Sequence, residues 1–156
     1  MSIFGESASE ILSDKIIVIS SDFKRAKETA KIIHQHFQVK TPLRFEQSLR
    51  ERNFGELNLM ESSNYQKVWA HDAQDPSHTV FGCESVASVF SRTSALIESL
   101  ETEYRDKGKV IVLVSHGDTL QITLTAYAGV APECHRTLDH LANGDVKELV
   151  LYNDKN

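Results

Sequence analysis

Two side chains, His116 and Arg25, stand where a sequence can present chemistry to a ligand. The run Val110-Ile-Val-Leu-Val-Ser-His-Gly117 is apolar, β-branched and unbroken until Ser115, His116 and Gly117. Such a run predicts a strand covered on both faces, and in open α/β sheets the ligand crevice lies at the carboxyl ends of the strands. A second run, Ile16-Ile-Val-Ile-Ser-Ser21, ends in the same manner and enters Asp22-Phe-Lys-Arg-Ala-Lys-Glu-Thr-Ala30, which places Arg25 in the first turn of a helix. A guanidinium is a planar fork of N–H donors that matches phosphate oxygens, and a helix N-terminus adds N–H groups and partial positive charge. An imidazole can donate to the same anion, most effectively as imidazolium, a state that nearby phosphate charge favours. Gly117 would let the chain turn with no Cβ in the ligand's way.

The elements that must position these groups alternate along the chain. Apolar runs and helical periodicity take turns after Ile16, which predicts an α/β fold: a mostly parallel sheet sandwiched by helices in three layers. Phe23, Ala26, Ala30, Ile33 and Phe37 recur every three or four residues and predict one buried stripe on a helix from about Asp22 to Phe37. Ser20, Ser21 and Asp22 are residue types that cap such a helix. Thr41 to Leu49 reads weakly as a strand. Asn58 to Phe81 is a polar connection of the kind that carries selectivity, and Tyr65 and Trp69, four apart, read as pinning a short helix inside it. Ser85 to Tyr104 predicts a long sheet-covering helix with Glu84 and Ser85 at its head, and Asp118 to Tyr127 predicts a third, capped by Asp118 and ended by Gly129 and Pro132. His135 to Leu141 and Val146 to Tyr152, joined across Asn143-Gly144, predict a hairpin.

Taken together, several segments resemble the histidine phosphatase superfamily, the phosphoglycerate mutase-like proteins. Ser20-Ser21 with Arg25-Ala26 and Thr29-Ala30 is similar to its "SS-x-x-x-RA-x-x-TA" element. Leu49-Arg50-Glu51-Arg52-Asn53-Phe54-Gly55 is similar to its "L-x-E-x-x-F/Y-G" element, Gly82-Cys83-Glu84-Ser85 with Arg92 to its "G-x-ES…R" helix start, and Ser115-His116-Gly117 to its second histidine motif. The resemblance implies a phosphoglycerate mutase-like sandwich and a phosphomonoester hydrolysed or transferred through a phosphohistidine. It further implies Glu51 as acid toward the leaving oxygen and later base toward water, His116 as a donor to the phosphoryl group, and Arg25, Arg52 and Gly117 around the substrate. Phosphoryl transfer asks for an acceptor, cations or N–H donors for three charged oxygens, and an acid; where cations suffice it needs no metal or other cofactor.

The family opens with a strand followed by Arg-His-Gly, which carries its nucleophile, and this sequence contains no Arg-His-Gly. We therefore expect a single domain over residues 1–156 that begins after that strand, with Phe4 to Leu12 as the helix leading into Ile16. A sheet without its first strand leaves its neighbour's N–H and C=O groups unpaired. Three responses are open: closure by the C-terminal hairpin, pairing with a second copy as a homo-oligomer, or instability.

Composition bounds the remainder. Across 156 residues, 40% apolar and 25% charged with seven glycines and three prolines are ordinary globular values, enough for one core. A net charge of −5 argues against broad binding to nucleic acid or an anionic membrane, so any anion site must be focal, and the resemblance implies a small phosphorylated metabolite or phosphate as the partner. Cys83 and Cys134 form no metal or redox motif and read as free thiols of a reducing cytoplasm; the N-terminus shows no signal peptide and no run is long enough for a membrane span. His34, His36, His71, His78, His135 and His140 lack metal-ligand spacing. Ser115 lacks a Gly-x-Ser-x-Gly elbow. Two functional readings follow: part of a phosphatase or mutase whose nucleophile is absent from this chain and which is inactive alone, or a non-catalytic protein that binds a phosphorylated ligand or protein partner.

Overall fold

The computed structural model describes residues 13–150. The helix expected over Phe4 to Leu12, and Leu151 and Tyr152 of the expected hairpin, lie outside the described residues. The chain divides into two compact units, Met1–Arg50 with Ile97–Ser115 and Glu51–Leu96 with His116–Asn156.

In the first unit the β-branched runs form strands β1 (Ile16–Ser20) and β3 (Val110–Val114), joined by the short β2 (Arg44–Phe45) in the order β2-β1-β3. Both pairings are parallel, with Ile16 opposite Val110, Ser20 opposite Val114 and Ile19 opposite Arg44. Helix α1 (Lys24–His36) buries Ala26 and Ala30 against Ile16, Val18, Val39 and Val114, with Ile33, Leu43 and Val112 around them. Alanines at the contact let the helix backbone come close to the sheet while larger residues fill the margins. The fold corrects the expectation for the two runs. All five residues of β1 are buried, whereas Val110 of β3 is 51% exposed and only Val114 is buried. Among the described residues β3 has a single strand neighbour, β1, and its side chains are only partly covered, so β1 is the fully covered run.

In the second unit, helix α2 (Gln66–Asp72) buries Val68 in a cluster with Phe54, Leu57 and Cys83, flanked by Tyr65, Trp69 and Phe81. Tyr65 stacks on Phe54 with ring centroids 3.8 Å apart and meets Trp69 edge-on at 6.3 Å, so the aromatic pair pins the short helix as its spacing predicts. Helix α3 (Val86–Tyr104) packs Val86 and Val89 against Ile122 of helix α4 (Gly117–Ala128). Ser85 Oγ accepts the Ser88 N–H at 3.1 Å and so caps α3. Helix α4 ends at Gly129 with φ 68°, the left-handed stop that its sequence predicts. The hairpin does not form within the described residues: Pro132–Thr137 is a 3₁₀ helix, and Asn143-Gly144 makes a turn that no strand follows. Proline pre-sets a helical first turn, and the helix carries His135 into the interior, so the alternation that mimicked a strand was consumed in another geometry.

Candidate functional site

Residues 51–52 grip residues 118–119 in the second unit. Glu51 Oε1 accepts the Thr119 N–H at 3.1 Å and the Thr119 hydroxyl at 3.2 Å, and Arg52 reaches Asp118 Oδ2 at 3.4 Å. Thr119 is the third residue of α4, and a helix leaves its first N–H groups without internal partners. The N-cap residue His116 supplies no side-chain cap. Glu51 therefore caps α4 from a distant segment, which fixes its carboxyl against the turn that follows His116. Asp118, expected as that cap, turns to Arg52 instead.

The local chain path is set by two glycines and a phenylalanine. Gly55 has φ +59°, and a Cβ there would stand 2.0 Å from the Phe81 carbonyl oxygen. Phe81 (φ 59°) and Gly82 (φ 69°) are also left-handed, so the Phe-Gly of one motif fits against the Gly-Cys-Glu of the other. Asn53 C=O accepts the Glu84 N–H at 2.7 Å across the same junction. The Glu84 carboxylate is held by Arg92 at 2.8 and 3.0 Å and by Ser88; burial opposes its charge, yet the Arg92 contacts outweigh burial and hold it below the usual range.

Arg52 departs from its expected role as a substrate contact. Its side chain is 0% exposed and its five N–H donors are accounted for: Nε to Glu84 O at 2.8 Å, the terminal nitrogens to Asp72 at 2.7 and 2.7 Å, to Asp118 at 3.4 Å and, weakly, to Cys83 Sγ at 3.9 Å. No donor is left for a ligand. Asp72 also accepts from His78 Nε2 at 2.6 Å; since the Val80 N–H donates to His78 Nδ1 at 3.2 Å, the proton of this ring lies on Nε2. Burial pushes the Asp72 carboxyl up, but Arg52 and His78 outweigh it and the group lies below its ordinary range. Among the described residues no His, Cys, Asp and Glu side chains group so as to hold a metal ion, and the cation among these carboxylates is Arg52.

Glu51 and His116 occupy positions suited to chemistry. Burial, then the charge of Asp118, pushes the Glu51 carboxyl above its ordinary value, against the opposing hydrogen bonds from Thr119 and Arg52 N–H. Three donors converge on Oε1, and Oε2 receives no hydrogen bond among the described residues. His116 is buried, extended (φ −130°, ψ 160°), and its C=O accepts the Leu120 N–H at 2.8 Å, opening α4. Gly117 has no positive φ, so the turn does not demand glycine; a Cβ there would meet nothing within 4 Å.

Arg25 belongs to the first unit. It is exposed, on the first turn of α1, with its guanidinium 5.5 Å from the Phe23 ring centroid. The Ser-Ser-Asp segment does not cap α1 as expected. Ser21 Oγ accepts the Phe23 N–H at 3.2 Å, Asp22 takes Arg50 with both oxygens at 2.7 and 2.6 Å, and the N-cap is Phe23, which has no side-chain cap bond. Ser115 donates to Leu49 O at 2.7 Å. The sequence reading missed Asp72, Thr119 and His135. The available signal was Arg52 itself: an arginine two residues before an aromatic, if carried inward with it, needs carboxylates as partners.

A family model described as the histidine phosphatase superfamily (branch 1) matches residues 3–156. A broad-specificity phosphatase of Saccharomyces cerevisiae is 30% identical over 108 residues, covering 69% of this chain and 46% of the yeast protein. An uncharacterized phosphatase, PhoE, of Bacillus subtilis is 25% identical over 139 residues, covering 89% and 66%. The chain thus spans between about half and two thirds of the length of these curated relatives. A solved mycobacterial glucosyl-3-phosphoglycerate phosphatase in complex with inorganic phosphate shares the fold at a TM-score of 0.67 and 22% identity, over 87% of this chain and 70% of that one.

Proposed function

Because this chain belongs to the histidine phosphatase superfamily, we propose that it carries the acid and phosphate-binding part of a phosphomonoester site. The observation that supports this most is the Glu51 carboxyl, whose pKa burial raises and which is docked on the turn that follows His116. A leaving alkoxide needs a proton at the moment the P–O bond breaks, and an acid with a raised pKa supplies it near neutral pH. Glu51 would give that proton and later take one from water. His116 would donate to the phosphoryl oxygens, and Arg25, carried by its resemblance to the family's Ser-Ser-x-x-x-Arg-Ala motif, would bring a fork of donors. Arg52 holds Glu51 and the α4 turn in register and does not touch the substrate. No histidine follows an arginine and precedes a glycine here, so phosphohistidine formation and turnover by this chain alone are not part of the reading.

Titration with orthophosphate and vanadate, alongside an aryl phosphate assay with trapping of acid-labile phosphoprotein, tests this. Saturable anion binding is expected, weakened at least tenfold in His116→Ala and in Arg25→Ala and unchanged in Arg92→Ala, whose guanidinium is engaged by Glu84. Equal affinity in all three variants, or a phosphohistidine in the unaltered chain, would overturn it.

A further inference from the structure

Asp72 and Asp118 are buried carboxylates that share one guanidinium, yet they are satisfied to very different degrees. Asp72 takes three hydrogen bonds of 2.6 to 2.7 Å. Asp118 takes one long bond, 3.4 Å from Arg52, and its Oδ1 is buried without a hydrogen bond; His135 Nε2 stands 3.4 Å away and Arg136 3.9 Å away. A carboxylate kept only for stability would be bonded as Asp72 is, because an unsatisfied buried charge costs free energy with no structural return. Such a cost is ordinarily retained where the group acts on something.

We propose that Asp118 is a positioning residue for Glu51: it touches no substrate, and through the paired contacts of residues 51–52 with residues 118–119 it holds the Glu51 carboxyl on the α4 turn as a hydrogen donor. This rests on the reading of Glu51 as the acid. The geometry is reciprocal. Arg52, next to Glu51, bonds Asp118, while Thr119, next to Asp118, bonds Glu51, so neither segment can slide without breaking both contacts. The charged and titratable groups facing Asp118 are Arg52 and Glu51 from the 51–52 segment and His135 and Arg136 from the 3₁₀ helix, with Asp72 across the shared Arg52. The His135 Nδ1 lies 3.1 Å from Pro132 O, an acceptor only, and therefore carries a proton. Asp118 thus keeps one oxygen without a hydrogen bond, and after burial its charge is the next cause that raises the Glu51 pKa.

The test is a carbon-13 NMR titration of the Glu51 side-chain carboxyl in the full chain. Asp118→Asn removes a negative charge, so the Glu51 midpoint should fall by about one pH unit. Arg136→Gln, at a partly exposed site, removes a positive charge facing Asp118 and should move the midpoint upward by less. Opposite shifts from opposite charges cannot come from a loosened fold, and Arg136→Gln keeps the test decisive should Asp118→Asn fail to fold. An unmoved midpoint in both variants, or a shift of the same sign in both, overturns the proposal. The titration does not read phosphate binding: these shifts with no anion affinity would sink the proposed function and leave the positioning role standing.

Discussion

The two units of this chain treat charge in opposite ways. In the first, charged pairs among the described residues lie at the surface or only partly covered, Lys40 with Asp14, Arg44 with Glu46 and Glu103, Arg50 with Asp22, around a core of Ile16, Val18, Ala26, Ala30 and Val114. In the second, Arg52, Asp72, Asp118, His78 and His135 are buried together. Apolar burial is non-directional and tolerates small errors of placement, whereas buried charges hold only while each has its partner. The second unit should therefore fail sharply when one member is removed. Arg52→Ala strands Asp72 and Asp118, and we expect a loss of about 3–5 kcal/mol in urea unfolding. A loss comparable to that of a surface pair would mean that the cluster is solvated and the contrast false.

This contrast also decides what the sequence could disclose. Strand β1, helix α1 and the Gly129 stop of α4 were legible because each depends on period, side-chain size or one special backbone angle. The edge position of β3 was legible only through the missing Arg-His-Gly motif, whose strand would lie beside it, since a run of Val, Ile and Leu by itself reads the same whether one neighbour or two pair with it. The 3₁₀ helix at Pro132 competed with a hairpin pattern and won through the burial of His135. At the candidate site, Glu51 and His116 were singled out as members of motifs, and the structure shows Thr119, on the turn after His116, bonded to the Glu51 carboxyl. Arg52 was misread because adjacency to Glu51 in sequence says nothing about which way its side chain runs.

Within the second unit a smaller effect sharpens the same point at the backbone. Gly55→Ala must place a Cβ 2.0 Å from the Phe81 carbonyl while keeping φ +59°, and the carbonyl is backbone that cannot swing aside. We expect a loss of at least about 2 kcal/mol. Gly82→Ala, with φ +69° and nothing within 4 Å, should cost about 1 kcal/mol from conformation alone. Thermal unfolding of the two variants side by side separates crowding from backbone strain. Equal losses would show that the Gly55 and Phe81 junction opens to admit a side chain, and that the two motifs are not locked together.

The smallest effect is expected in the first unit, and it separates two aspartates whose pKa values move the same way. Asp22 is lowered by its hydrogen bonds to Arg50, and Asp72 is lowered because Arg52 and His78 outweigh burial. A carboxylate depressed in the folded state adds stability above its unfolded pKa, about 3.9, and that stability is lost as pH falls through the folded value. Glu51 runs the other way: raised in the folded state, it costs stability as pH climbs from about 4.3 toward its folded value. Asp22 and Arg50 are open to solvent, where water and salt weaken the pair, while Asp72 is screened by neither. Stability measured against pH should therefore show an acid-side decline that Asp22→Asn leaves in place and that added salt barely alters. If Asp22→Asn abolishes the decline, the acid sensitivity belongs to the surface of the first unit, and the buried cluster of the second is not what protons dismantle.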